Sequence, residues 1–183
     1  MRVLDTGRAA TGLFLVKADG SSVRPVTPLD GGDHDYYWVS WSPDGKRLAY
    51  SDWPDKRYPV QVHVLTIEGL RDVFLRPDAG SEHFAPAWSP DGTRLAFVVG
   101  GRGIGVAPAA DESPHVTLTG PSFMGALAYD WSPDSSVILA VPDGTGEPWL
   151  FDAAGGPARR VDWSPSDFAR NRGSWSNWQR LAP

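Results

Sequence analysis

The sequence of 183 residues contains no cysteine. This excludes disulfide bridges and zinc sites built on thiolate ligands, but it identifies no compartment, because many exported proteins also lack cysteine. Basic residues are also the minority charge, with 17 Lys and Arg against 22 Asp and Glu and a formal net charge of −5. A general nucleic-acid binder needs a basic surface to hold phosphates, so we expect no nucleic-acid partner.

Long apolar runs are missing as well. The apolar segment Gly12-Leu13-Phe14-Leu15-Val16 is far too short to cross a membrane. The opening residues 1–7 include an early aspartate and no apolar run of signal-peptide length. We therefore expect neither a membrane span nor an export signal in this chain, and the sequence leaves the localisation open.

What the sequence has in quantity is turn formers and large aromatic residues, with 20 Gly, 17 Pro and 9 Trp. One stretch, Trp41–Tyr50 (WSPDGKRLAY), returns as Trp88–Phe97 (WSPDGTRLAF) with eight of ten positions identical. A looser third copy begins at Trp131, so the copies stand 47 and 43 residues apart. Self-similarity at this period is typical of propellers and other repeat arrays.

Ser-Pro-Asp-Gly forms a turn for physical reasons. Proline fixes φ at the second turn position, aspartate caps the backbone at the third, and glycine takes the left-handed conformation that closes a hairpin. The flanking residues are aromatic and aliphatic, as strands prefer. The three copies therefore predict tight β-hairpins at 37–51, 84–98 and 127–141, each with a tryptophan large enough to pack between neighbouring sheets.

Further pairs of short strands are predicted between the hairpins. Residues 60–64 alternate at period two and 72–75 return from a Glu-Gly turn, and the pair 103–107 with 115–118 repeats this order. Each period thus holds four antiparallel strands, which is the unit of a β-propeller blade.

The fourth copy of the motif is placed by spacing. Trp175 lies 44 residues after Trp131, whereas the closer string match at Trp163 follows by only 32 and leaves too little room for the missing strands. We therefore predict a fourth hairpin at 173–182.

The predicted fold is all-β, a propeller of about four blades with four antiparallel strands each, forming one domain over residues 1–183. The chain starts with one strand pair of a blade and ends with the other pair. Pairing of these amino- and carboxyl-terminal strands would close the ring and cover exposed sheet edges. Two alternatives remain open: a fragment of a larger ring, or self-association of copies.

The repeat Trp-Ser-Pro-Asp-Gly-x-x-Leu-Ala-(Tyr/Phe), followed by a strand pair, resembles the WD-like propeller repeat of TolB-type proteins. The resemblance covers residues 12–183 and implies a propeller fold. TolB-type proteins usually carry six blades and are often exported, and similar propellers accompany catalytic domains in serine peptidases. In the third copy Ser135 replaces the glycine, which predicts a looser or differently shaped turn, since a left-handed serine costs about 1 kcal/mol.

The repeated positions are interpreted as architecture, because packing and turn residues recur once per blade. The predicted structural set is Trp41, Pro43, Asp44, Gly45, Trp88, Pro90, Asp91, Gly92, Trp131, Pro133, Asp134 and Trp175.

Aromatic residues that do not repeat are more informative about function, because packing symmetry does not require them. Tyr36, Tyr37, Trp38, Trp53, Tyr58, His83, Phe84, Phe123 and Met124 fall in or beside the longer connections. Aromatic and arginine side chains around a depression suit a ligand-binding face. We therefore predict a non-catalytic module that recognises a protein or peptide on these loops, with contacts from His34, Tyr36, Trp53, Arg57, Tyr58, His83 and Phe84.

The alternative function is a propeller enzyme, a metal-assisted hydrolase or lyase with its site in the central depression. Its candidate residues are Asp33, His34, Asp35, Glu82 and His83. A purely structural role within a larger array is the third interpretation. Because no catalytic or metal-binding spacing is complete, we assign no catalytic residue, metal ligand or cofactor.

Overall fold

The computed structural model describes residues 12–27, 34–54, 57–75, 81–110, 116–119, 128–141 and 147–162. These residues form strands joined by turns. No helix in this part of the chain is long and apolar enough to serve as a membrane span. The predicted hairpin at 173–182, with Trp175, and the rejected match at Trp163 lie outside the described residues, as does the proposed pairing of terminal strands.

Fourteen strands are described in order along the chain. They are β1 (Phe14–Val16), β2 (Val23–Pro25), β3 (Asp35–Trp41), β4 (Arg47–Trp53), β5 (Gln61–Thr66), β6 (Arg71–Leu75), β7 (His83–Trp88), β8 (Arg94–Val99), β9 (Gly103–Pro108), β10 (Val116–Thr119), β11 (Ala128–Trp131), β12 (Val137–Val141), β13 (Trp149–Asp152) and β14 (Arg159–Arg160). The hairpin strands coincide within two residues with the spans 37–51, 84–98 and 127–141.

Three four-stranded sheets and one two-stranded sheet result. The two-stranded sheet is β1-β2, and the others run in the orders β3-β4-β5-β6, β10-β9-β8-β7 and β11-β12-β13-β14. Neighbouring strands are antiparallel and follow each other in the chain, as local hairpin connections require. The all-β class and the four-stranded repeating unit expected from the sequence are confirmed.

The chain divides into two compact units, Met1–Pro86 and Ala87–Pro183. In the first, apolar residues of the β1-β2 sheet and of the β3-β6 sheet form one core, made of Leu13, Val26, Leu48, Tyr50 and Leu65. In the second, the core joins residues of both four-stranded sheets: Ala96, Ile104, Val106, Leu118, Trp131, Ile138, Ala140, Phe151 and Ala153. Single-domain organisation over residues 1–183 stays a prediction.

The Ser-Pro-Asp-Gly turn is held by its serine. The Ser42 hydroxyl donates to Asp44 Oδ1 at 2.5 Å and accepts the Arg47 amide at 2.9 Å, so it ties the turn to the next strand. Asp44 Oδ1 also accepts the Lys46 amide at 3.0 Å. The same bonds recur in the second copy, from Ser89, and in the third, from Ser132.

The third turn has the same shape as the others, so the prediction of a looser turn is wrong. Ser135 takes the left-handed φ of 62°, close to the 72° of Gly92, and its amide donates to Ser132 O at 2.9 Å. Neighbouring groups hold it there. The Ser135 hydroxyl accepts the Asp91 amide at 3.1 Å, and its carbonyl accepts the Arg94 guanidinium. These bonds offset the strain that a non-glycine residue brings to this conformation.

The motif tryptophans are not equally placed. Trp88 and Trp131 are 8% and 3% exposed, as packing residues should be. Trp131 donates its Nε1 hydrogen to Ala87 O at 3.1 Å and lies under the Arg94 guanidinium, 5.2 Å from its ring centroid. Trp41 is 46% exposed. Trp88 and Trp131 therefore have the predicted packing role, whereas about half of the Trp41 side chain is exposed.

Acid titration tests the turn. Hydrogen bonds from the Ser132 hydroxyl, and then from the Ser136 amide and hydroxyl, lower the pKa of Asp134 from 3.8 to about 2. A carboxyl group with a lowered folded-state pKa contributes stability above its unfolded value and loses it as the pH falls through the folded value. We expect Asp134→Asn to be less stable than wild type at neutral pH, with the difference shrinking between about pH 4 and pH 2. Urea unfolding at stepped pH measures this, and a difference that stays constant down to pH 2 would contradict it.

Candidate functional site

The candidate site lies at the end of the β3-β6 sheet where the long connections enter β3, β5 and β7. Alternation along the strands divides its side chains between two faces. Asp35 pairs with Trp53, and Tyr37 with Ser51, so these residues share one face. Tyr36 pairs with Asp52 and lies on the other. The two faces carry different chemistry.

Beside the first face lie three aromatic rings in contact, called here the aromatic surface: Tyr37 and Trp38 of β3 and Phe84 of β7. The ring centroids of Tyr37 and Trp38 are 5.5 Å apart, and those of Trp38 and Phe84 are also 5.5 Å apart. Tyr37 is 40% exposed and Trp38 is 50% exposed. Large apolar side chains at such exposure, in contact with each other, mark a surface suited to a partner.

An unusual backbone presents the central ring. Trp38 has φ of 49°, a left-handed value that is an outlier for a bulky residue. The register of β3 against β4 shifts between Tyr37 and Ser40, which is a β-bulge. Such a conformation costs about 1–3 kcal/mol and tends to occur where a side chain must be aimed for function.

The same backbone position recurs in the next repeat. Ala85, three residues before Trp88 as Trp38 is before Trp41, has φ of 54°. Its amide donates to Ser51 Oγ at 3.0 Å, which fixes the start of β7 against the sheet and holds Phe84 beside Trp38. The left-handed position thus occurs in the first two copies, whereas the tryptophan on it is particular to the first.

A carboxylate lies next to the aromatic surface. Partial burial raises the pKa of the Tyr37 hydroxyl, and the nearby Asp35 carboxylate, which accepts a hydrogen bond from it, raises that pKa further. Tyr37 therefore keeps its proton and remains a donor at neutral pH.

The connection after β4 adds a further aromatic side chain. Trp53 Nε1 donates to Tyr58 O at 2.8 Å, which shapes the turn and leaves the Tyr58 side chain 61% exposed. Arg57 is exposed in the same connection. Trp53 itself lies opposite Asp35 in the strand register and so shares a face with Asp35 and Tyr37.

The second face carries a row of linked side chains, His34, Asp52, His63, Asp72 and Tyr50, called here the histidine network. His34 Nδ1 lies 3.0 Å from both carboxylate oxygens of Asp52. His63 Nδ1 lies 2.9 Å from Asp72 Oδ2, which also accepts the Tyr50 hydroxyl at 3.0 Å. His63 Nε2 is buried and lies 3.9 Å from Asp52 Oδ2, so the two halves are neighbours without a hydrogen bond between these atoms.

The burial of its residues indicates that the histidine network stabilises the sheet. Asp52 is only 6% exposed, and Tyr50 is 2% exposed within the core of the first unit. Burial first, and then the Asp72 carboxylate, raises the pKa of Tyr50 far above its ordinary value. The His63 ring stacks on Tyr50 with centroids 5.2 Å apart. A buried carboxylate such as that of Asp52 stabilises one arrangement of the sheet when it is paired, because loss of its partner leaves a charge without solvation.

The predicted contacts separate into these two groups. Trp53 shares the face of Tyr37, and Phe84 contacts Trp38. His34 and Tyr36 lie on the side of the histidine network, with their stacked ring centroids 5.8 Å apart. Arg57 and Tyr58 are exposed in the connection after β4. His83 is 0% exposed, so a role as a surface contact does not fit its position. Its amide instead pairs with Val60 O at 2.9 Å.

The candidates for an enzyme have different surroundings. Asp33 lies outside the described residues, Asp35 bonds to Tyr37, and Glu82 is exposed before β7. Across the described ranges, no group of three or more His, Asp or Glu side chains is arranged to hold a metal ion.

Sequence reasoning missed several of these residues. Tyr37 and Trp38 belong to the predicted non-repeating aromatics but not to the predicted contact set, although Ala85 at the equivalent position shows that the repeat requires no tryptophan there. The partnership of Asp52, His63 and Asp72 depends on strand register, which no local motif discloses.

The contribution of the histidine network to stability can be tested at His34. We expect His34→Ala to lower the free energy of unfolding by about 1–3 kcal/mol, because Asp52 would remain buried without its imidazole. In the double variant with Asp52→Asn the loss should be smaller than the sum of the single losses. Urea unfolding of the four proteins measures this coupling. Unchanged stability together with lost partner binding would instead make His34 a surface contact.

No protein-family model matches the chain, and no curated protein does. Among solved structures, the chain is similar to TolB from Acinetobacter baumannii, with a TM-score of 0.65 and 18% identity over 86% of this chain and 39% of that one. For a putative TolB from Agrobacterium tumefaciens, the TM-score is 0.64 and the sequence identity is 20%, over 86% of this chain and 57% of that protein. For an oligogalacturonate lyase in complex with manganese, the TM-score is 0.59 and the sequence identity is 18%, over 80% of this chain and 41% of the lyase.

The chain thus spans 39% to 57% of the length of these three proteins. At such low identities the likeness concerns the fold, since one fold serves many functions. The resemblance noted in the Trp-Ser-Pro-Asp-Gly repeats is confirmed at that level: the chain has a TolB-like β-propeller fold.

Proposed function

We propose that the protein is a non-catalytic binding module that recognises a protein or peptide through the aromatic surface. The observation that carries this proposal is Trp38, a half-exposed tryptophan on a left-handed backbone at the centre of a ring cluster. A ring that served only packing would be buried, as Trp131 is.

The physical chemistry of the surface suits recognition. Tryptophan and tyrosine supply large contact areas with little conformational entropy to lose, and they dominate the energy of many interfaces. Tyr37 and Phe84 flank Trp38 and restrict its ring before any partner arrives. Such preorganisation lowers the entropic cost of binding. The similarity to an oligogalacturonate lyase is one of fold, and no residue pattern described above supports carrying its activity over.

Self-association is a second candidate role, favoured by Trp41. This ring is 46% exposed, whereas the equivalent Trp131 packs under Arg94 of the neighbouring repeat. We propose that copies of the chain associate over the Trp41 side of the β3-β6 sheet.

Solution mass tests the self-association. Light scattering should show a dimer or larger assembly at micromolar concentration, and Trp41→Ser should shift it toward monomer, because the variant removes the apolar contact. A wild-type monomer at all concentrations would contradict the proposal.

Substitution of Trp38 tests the binding role. We expect Trp38→Ala to weaken binding of a partner purified from the native cell by about 2 kcal/mol or more, the range of a central interface residue. Trp38→Gly should lose binding equally while keeping or raising thermal stability, since glycine accepts the left-handed conformation. Titration calorimetry gives the affinities.

Phe74→Ala is the matched control. Phe74 is likewise exposed, at 37%, but it pairs with His63 on the face of the histidine network. Its removal should leave partner affinity unchanged. Equal losses for Phe74→Ala and Trp38→Ala, or no loss for Trp38→Ala, would overturn the assignment of the binding surface.

A further inference from the structure

The connections that enter β3, β5 and β7 are rich in acidic residues. Over 28–35, 54–60 and 76–82 the sequence has six acidic and three basic residues: Asp30, Asp33, Asp35, Asp55, Asp78 and Glu82 against Lys56, Arg57 and Arg76. This excess accounts for more than half of the formal net charge of −5. The sequence segments that lead into β3, β5 and β7 therefore carry a net negative charge.

Two of these carboxylates belong to residues that the structure describes. The Asp35 side chain accepts the Tyr37 hydroxyl and so lies beside one exposed ring. Glu82 is exposed two residues before Phe84. Arg57, which precedes Tyr58 in the sequence, is the basic residue of these connections that lies in the described ranges, and it is exposed.

Aromatic faces bordered by carboxylates favour a cationic ligand. The face of a tryptophan or tyrosine ring attracts a guanidinium or ammonium group, and adjacent carboxylates add charge complementarity. The edge of the sheet also suits an extended peptide, because β3 is the first strand in the order β3-β4-β5-β6 and has one side without a strand of that sheet.

We propose that the partner segment is a basic peptide, with an arginine or lysine side chain over the Trp38 ring and its charge balanced by Asp35 and Glu82. This inference rests on the proposed binding function and names the chemistry of the partner. Carboxylates steer and select such a segment, whereas the rings supply most of its contact area.

Tryptophan indole resonances provide the test. The Trp38 indole signal in a ¹⁵N spectrum is assigned by its loss in Trp38→Phe, and the full chain is then titrated with a synthetic peptide of alternating arginine and glycine. A peptide of alternating glutamate and glycine is the matched probe. We expect the basic peptide to shift the Trp38 signal and the acidic one to leave it in place, with the shift weakening as salt rises.

Charge variants locate the effect. Asp35→Asn and Glu82→Gln should each weaken the basic peptide by about two- to five-fold, the range for one exposed charge pair. Glu68→Gln removes an equal charge from the exposed turn at the opposite end of the sheet and should leave affinity unchanged. Thermal unfolding of each variant confirms that the fold is intact, and Glu82, being exposed, keeps the test valid if Asp35→Asn is unstable.

A Trp38 signal that ignores the basic peptide, that responds equally to the acidic one, or that is insensitive to both charge variants would overturn this inference. A different result would contradict the proposed binding function itself. A natural partner that is neutral or acidic and still depends on Trp38 would contradict the basic segment alone, whereas a partner indifferent to Trp38→Ala would contradict the function.

Discussion

A serine hydroxyl that bridges an aspartate carboxylate and a strand amide is the interaction on which each repeat depends. In all three described copies the serine is buried, at 3%, 0% and 6% exposure. A buried hydroxyl must find partners, and these two fix the reversal of the chain and the register of the strands that follow. Proline and glycine supply the allowed backbone angles, but the serine–aspartate pair joins the turn to the sheet.

The turn end of each hairpin has the same shape in the three described copies, whereas the residues at the open end of the hairpin differ. A left-handed backbone position three residues before the motif tryptophan occurs at both Trp38 and Ala85. In one repeat it aims an exposed ring, and in the next its amide ties a strand to Ser51. The architecture thus provides a strained position in each of these two repeats, and the residue placed there decides whether an aromatic side chain is exposed at it. The histidine network on the other face keeps the sheet beneath the bulge in one arrangement.

The sequence predicted those features that local chemistry decides. Hairpin positions follow from Ser-Pro-Asp-Gly, and the strands at 61–66 and 71–75 lie within two residues of the periodic segments 60–64 and 72–75. Features decided by distant partners escaped it. Ser135 keeps a glycine-like turn because Asp91 and Arg94 hold it, His83 is buried by its place against the sheet, and Asp52 meets His34 only through the β3-β4 register. Trp41 and Trp131 begin the same motif but are 46% and 3% exposed, so the motif alone does not determine the burial of its tryptophan.

The central claim is that the repeat builds the fold while recognition takes place at the aromatic surface. Hydroxyl-radical footprinting of the full chain, alone and with its partner from the native cell, measures this directly, because exposed aromatic side chains oxidise readily and a bound partner shields them. The account predicts that Tyr37, Trp38 and Phe84 become protected on binding while Phe74 on the opposite face does not. Protection confined to Phe74 or to the Ser-Pro-Asp-Gly turns, with the oxidation of Trp38 unchanged, would contradict it.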